Sequence, residues 1–97
     1  YLPRRLRYRA DQHEFDYSSV RYSNAKGRWG SCSSHGVISL NVALMNLPME
    51  LVDYVLIHEL SHTRHLNHSP QFWATVEHCY TDYKSARKQL KSYSTYL

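Results

Sequence analysis

Residues 48–70 read PMELVDYVLIHELSHTRHLNHSP. No proline or glycine interrupts the run between Pro48 and Pro70, so a helix can propagate through it. Its apolar residues Leu51, Val52, Val55, Leu56, Ile57 and Leu60 spread over most of the helical circumference, the pattern of a helix buried on nearly all sides. Within that run stand His58, Glu59 and His62. Residues four apart share a helical face with Cβ atoms about 5–6 Å apart, so both imidazoles can reach one metal ion at about 2.0–2.1 Å. Glu59, turned about 100° from His58, would flank such an ion rather than bind it, and could take a proton from an activated water. This is the HExxH arrangement of two ligands and a general base. Burying two neutral imidazoles and a carboxylate is costly without partners, and a metal offsets that cost.

A catalytic zinc needs a third protein ligand and an open fourth position. His65 shares the face of His58 and His62 but lies about 7.5 Å along the axis from the midpoint of the pair, which makes it a poor ligand. Glu77 could reach in from the next helix. His68 is the best candidate on one condition: in an unbroken helix it would be about 9 Å beyond His62 and turned away, so the helix has to end before it. Asn67, which tolerates the left-handed conformation, is expected to end it. Ser69 and Pro70 then supply an N-cap and a first helical residue.

Outward from this segment, residues 3–11 form a candidate helix with Pro3 in its first turn. Alternation over 17–23, the block RWGSCS (28–33) and VISLNVAL (37–44, at least through Leu40) read as strands, separated by turns at NAKG (24–27) and SHG (34–36). Three short strands with tight turns suggest an antiparallel meander. After the histidine helix, Phe72, Trp73, Val76 and Tyr80 stripe a second helix. Asp82 can cap a third, with Tyr83, Ala86 and Leu90 inward. Strands followed by helices are an α+β pattern.

The blocks AKGRWGSCSSHGVISLN and LVDYVLIHELSHTRHLNHSPQFW, in this order, resemble the YgjP-like zinc metallopeptidases, relatives of the SprT-like and WLM proteases. The resemblance runs from about Tyr17 to Leu90. It implies a zincin-like fold, one Zn2+ per chain held by His58, His62 and His68, and Glu59 as catalytic base. The ligand spacing also equals that of metzincins, with His65 where those have glycine. An extended peptide substrate could pair with a strand edge offered by VISLN or RWGSC. Tyr54, Arg64, His65 and Tyr83 are the candidates for a second oxyanion donor. Trp29 and Gly30 read as packing and turn residues, and Cys32 as a small buried one.

The chain's 97 residues suit one zincin-like domain over 1–97 with a basic N-terminal arm or helix at 1–16, and the start at Tyr1 suggests the core of a longer protein. Charged residues at 21% and hydrophobic ones at 42% exclude a disordered chain. No apolar run approaches the roughly 20 residues of a membrane span. Arg4, Arg5, Arg7 and Arg9 equal the whole net charge of +4. Such a cluster is either a solvated or interface helix face, or a grip on nucleic acid. Cys32 and Cys79 form no CxxC pair, so a reduced, cytoplasmic protein is expected. Three functions follow in order: a zinc metallopeptidase acting on peptide or protein substrates, a DNA-associated protease, and a structural zinc domain. The last would need Cys32, Cys79 or Glu77 to close the coordination sphere.

Overall fold

A computed structural model describes residues 2–24 and 28–93; the predicted turn at NAKG falls largely on 25–27 and lies outside them. Helix α1 (Leu2–Gln12) is followed by strands β1 (Ser19–Ser23), β2 (Gly30–Cys32) and β3 (Val37–Asn41), then helices α2 (Met49–Ser61), α3 (Pro70–Cys79) and α4 (Tyr83–Leu90). This is the expected α+β chain.

The sheet is not a meander. Its strand order is β1-β3-β2, with β2 antiparallel and β1 parallel to β3. β3 takes the centre because it is the apolar strand: Ile38, Leu40 and Asn41 are buried, whereas β1 is mostly exposed. The β2–β3 hairpin turns at Gly36, whose φ of +79° suits glycine, and Ser33 Oγ accepts from the amides of His35 and Val37. β1 then joins the far side of β3, its register beginning at Ser19 opposite Val37. VISLN therefore has a neighbour on each side and offers no free edge, which removes it as a docking strand; RWGSC, on β2, remains. β3 ends at Asn41, short of the predicted Leu44. The Asn41 side chain accepts from the Ala43 amide and starts a 3-10 turn (Val42–Asn46).

Helix α2 is the core. Leu51, Val52, Tyr54, Val55, Leu56, Ile57 and Leu60 are all buried, as its all-round apolar pattern requires. The sheet covers it on one side, and α1, α3 and α4 pack around it. The basic N-terminal segment belongs to this core. Leu6, Ala10 and Phe15 are buried, and Arg5 and Arg9 turn inward onto Asp53 of α2 with contacts of 2.7–2.8 Å. Arg7 pairs with Asp11 and lies over the Tyr17 ring. The segment is thus a docked helix more than a free arm. It ends at Glu14, the one non-glycine residue with positive φ among the described residues, while the Phe15 amide donates back to the Ala10 carbonyl at 2.8 Å.

Candidate active site

Helix α2 stops at Ser61, with His62 as its C-cap, earlier than a stop at Asn67. Asn67 is not in the left-handed region; the chain leaves the helix through a turn closed on Ser61. Ser61 Oγ donates to the Ile57 carbonyl and Thr63 Oγ1 to the Leu60 carbonyl, while the Arg64 and His65 amides both turn onto the Ser61 carbonyl. The chain then reverses into Ser69, whose Oγ caps α3 by accepting from the Phe72 amide. Pro70 opens α3 as expected. Asp82 stands at the N-cap of α4 without a side-chain cap bond.

The reversal brings His68 back onto the α2 pair. Ligand atoms of His58, His62 and His68 lie within 4.8 Å of one another, and the Nε2 atoms of His58 and His68 are 3.4 Å apart. Two nitrogens on one tetrahedral ion at about 2.0–2.1 Å would be about 3.3 Å apart, so the spacing fits a shared metal. Phe72, fully buried, forms the floor, with its ring 4.4 Å from His62, 5.0 Å from His68 and 5.1 Å from His58. Trp73 stacks on His68 from the side.

The surroundings also set the protonation states. His62 Nδ1 lies 3.0 Å from the His65 carbonyl. A carbonyl only accepts, so Nδ1 carries the proton and Nε2 is left as a lone-pair donor. His58 Nδ1 faces the Tyr54 hydroxyl at 3.3 Å, and with its Nε2 turned to the cluster it donates to that oxygen. Burial, reinforced by His62, His68 and Arg87, pushes the His58 pKa down to about 3. Burial likewise lowers that of His62, against the bonds from the backbone at His65 and Leu66. Neutral imidazole is the ligating form.

Glu59 is buried and its Oε1 has no hydrogen-bond partner. Burial raises its pKa to about 8, with Arg28 pulling the other way. The room it occupies is made by Gly30: a Cβ there would stand 3.1 Å from Glu59 Cγ and 3.3 Å from Oε2. Gly30 is therefore a strand residue that admits the carboxylate, not a turn residue. Glu59 and His58 border a cleft of about 370 Å3 walled by Trp29, Tyr54, Val55 and α4.

Other sequence candidates fall elsewhere. His65 contributes its carbonyl, not its ring, to the site. Glu77 is exposed, and among the described residues no fourth His, Cys, Asp or Glu joins the three histidines. Cys32 and Cys79 are free thiols. Arg64 is engaged by the segment after α1, donating to the His13 and Glu14 carbonyls and lying over Phe15. Tyr83 stacks on Trp73. Arg87, which the sequence did not single out, borders the cleft and lies 4.9 Å over the Trp73 ring. The signal was present only as its i,i+4 spacing to Lys91 on one helix face.

Comparison with known proteins bears on the family and the fold. Residues 1–93 match the YgjP-like family model, described as a metallopeptidase domain. The chain is similar in structure to the metallopeptidase zymogen of Pyrococcus abyssi abylysin, with TM-score 0.83 and 28% identity, covering 95% of this chain and 93% of that one. It also resembles the metallopeptidase zymogen of Methanocaldococcus jannaschii jannalysin in fold, with TM-score 0.79 and 17% identity, over 95% of each chain. No curated protein matches it in sequence. The chain belongs to the YgjP-like family and is a metallopeptidase domain, and its three clustered histidines could hold a metal ion.

Proposed function

We propose, from the premise that this chain is a YgjP-like metallopeptidase domain, that it hydrolyses peptide bonds with one Zn2+ held by His58, His62 and His68 and with Glu59 as general base. The observation that carries the reading is the meeting of three imidazoles beside a buried carboxylate with a free oxygen. A set of three neutral nitrogen donors suits zinc, and the absence of a fourth protein donor among the described residues suits a catalytic rather than a structural ion. When bound, zinc supplies a Lewis acid that polarises the scissile carbonyl and makes water a nucleophile near neutral pH.

The chain's own residues do the rest. Glu59 takes the proton of the attacking water and returns it to the leaving nitrogen; burial raises its pKa in the metal-free site, and a bound cation beside it would lower that pKa and keep the carboxylate ionised as a base. Tyr54 and the His65 carbonyl hold the His58 and His62 rings in their ligating tautomers. β2, an edge strand whose Gly30 touches Glu59, offers backbone groups along which an extended substrate can pair. Residues 1–97 act as one domain, and the two free cysteines fit a reduced, cytoplasmic location. No helix among the described residues is long and apolar enough to cross a membrane.

The DNA-associated alternative loses support, because Arg5 and Arg9 are engaged by Asp53 and Arg7 by Asp11. The test of the main reading is metal analysis with a peptidase assay of wild type and Glu59→Gln. About one zinc per chain in both, with cleavage reduced at least about 100-fold in the variant, is the expected result. Equal cleavage by the two proteins would remove Glu59 from the reaction.

A further inference from the structure

Helix α4 brings two cations to the cleft, and hydrolysis as described uses neither. Arg87 and Lys91 lie one turn apart on one face of α4, and both border the cleft that His58 and Glu59 border. Neither has a carboxylate partner among the described residues, where the ion pairs are those of Arg5, Arg7 and Arg9. Among the described residues Glu59 is the only acid lining the cleft, and it is committed to the reaction.

The arginine is also pre-oriented. Its guanidinium lies over Trp73 at 4.9 Å, and Trp73 is itself held by stacked contacts with Tyr83 and His68, at interplanar angles of 22° and 25°. The aromatic contact holds the guanidinium beside the cleft, and among the described residues no carboxylate occupies the N–H groups with which an arginine meets a carboxylate through two parallel hydrogen bonds. The remaining walls are mostly apolar or aromatic, Trp29, Val55 and Leu90 with Tyr54 and Tyr93, whose hydroxyls add two neutral polar groups. At about 370 Å3 the cleft is at the small end of ligand pockets. A cationic rim over apolar walls fits a group with an apolar body and one negative charge.

We propose that Arg87, supported by Lys91, is a specificity-determining residue that reads a carboxylate on the peptide residue seated beside the scissile bond. That carboxylate belongs either to an acidic side chain or to the C-terminus of an apolar residue. The proposal rests on the peptidase reading of the site, and the two are separable by experiment.

Two pairs of peptides serve as probes: one pair differs by Glu against Gln, the other by a free C-terminus against an amide. Their binding to zinc-loaded Glu59→Gln protein is measured by calorimetry, and their cleavage by wild type is measured as kcat/KM. In one pair the charged member is expected to bind about tenfold or more tightly than its neutral twin, and that pair identifies the source of the carboxylate. The ratio falls to near one when Arg87→Gln is added, is partly kept by Arg87→Lys, and shrinks with added salt. Circular dichroism checks that each variant remains folded. Equal affinities within both pairs, no measurable binding of any probe, or a ratio unmoved by Arg87→Gln would overturn the proposal. Cleavage without discrimination leaves the peptidase standing and removes the pocket; discrimination in binding without cleavage does the reverse.

Discussion

Helix α2 buries two carboxylates, Asp53 and Glu59, and the fold treats them in opposite ways. Asp53 is 4% exposed and receives three charged hydrogen bonds from Arg5 and Arg9. Burial alone would raise its pKa, but those bonds and charges outweigh burial and hold it below the ordinary value of 3.8. Glu59 is 6% exposed, one oxygen has no partner, and burial pushes its pKa up to about 8. The first carboxylate ties α1 to the core. The second carries an uncompensated cost beside the three histidines, as a carboxylate at a functional site does.

The largest expected effect that separates the two is on folding. Asp53→Ala leaves two guanidiniums without their anion and should cost about 3 kcal/mol in urea unfolding. That is the low end for breaking a buried pair, because the arginine side chains keep 28% and 17% exposure. A loss of only a few tenths would mean that α1 docks through Leu6, Ala10 and Phe15 alone.

Glu59→Gln should have the opposite sign. In metal-free protein a carboxyl whose folded pKa is raised favours folding most below its unfolded value of 4.5, and that contribution disappears as pH rises toward about 8. The glutamine variant should therefore match wild type near pH 4 and become progressively more stable than it up to pH 8. A gap independent of pH would show that Glu59 finds a partner in solution.

A smaller effect follows for Asp53 in acid. Its folded pKa lies below 3.8, so its contribution to stability is complete above that value and is lost as pH falls through the folded pKa. Wild type and Asp53→Asn should converge in stability below that range, and curves that stay parallel would contradict the clamp. The smallest effect concerns the metal cluster itself. Tyr54→Phe removes the oxygen facing His58 Nδ1 and should weaken metal binding about tenfold, measured by chelator competition.

What could be read from the chain alone was what local pattern encodes. The buried helix followed from Leu51 to Leu60, the meeting of the His58 and His62 rings from their spacing, and the start of α3 from Ser69-Pro70. What could not be read depended on partners distant in sequence. The sheet order places β1 on the far side of β3, and strand alternation carries no information about which neighbour a strand will choose. The arginines of α1 could not be assigned without knowing that Asp53, 48 residues from Arg5, would meet them. Gly30 gave no sign that its missing side chain accommodates Glu59. The helix stop was expected from Asn67, whereas the helix ends at Ser61, onto whose carbonyl the Arg64 and His65 amides turn. His68 reaches the cluster either way.

Zinc titration of wild type, His65→Ala and His68→Ala decides whether the three imidazoles form one site. Wild type and His65→Ala are expected to bind about one zinc per chain with similar affinity, because alanine keeps the backbone carbonyl that orients His62. His68→Ala should bind more than about 100-fold more weakly, since a ligand is lost and not merely its support. A His65→Ala protein that loses zinc while His68→Ala retains it would contradict the site.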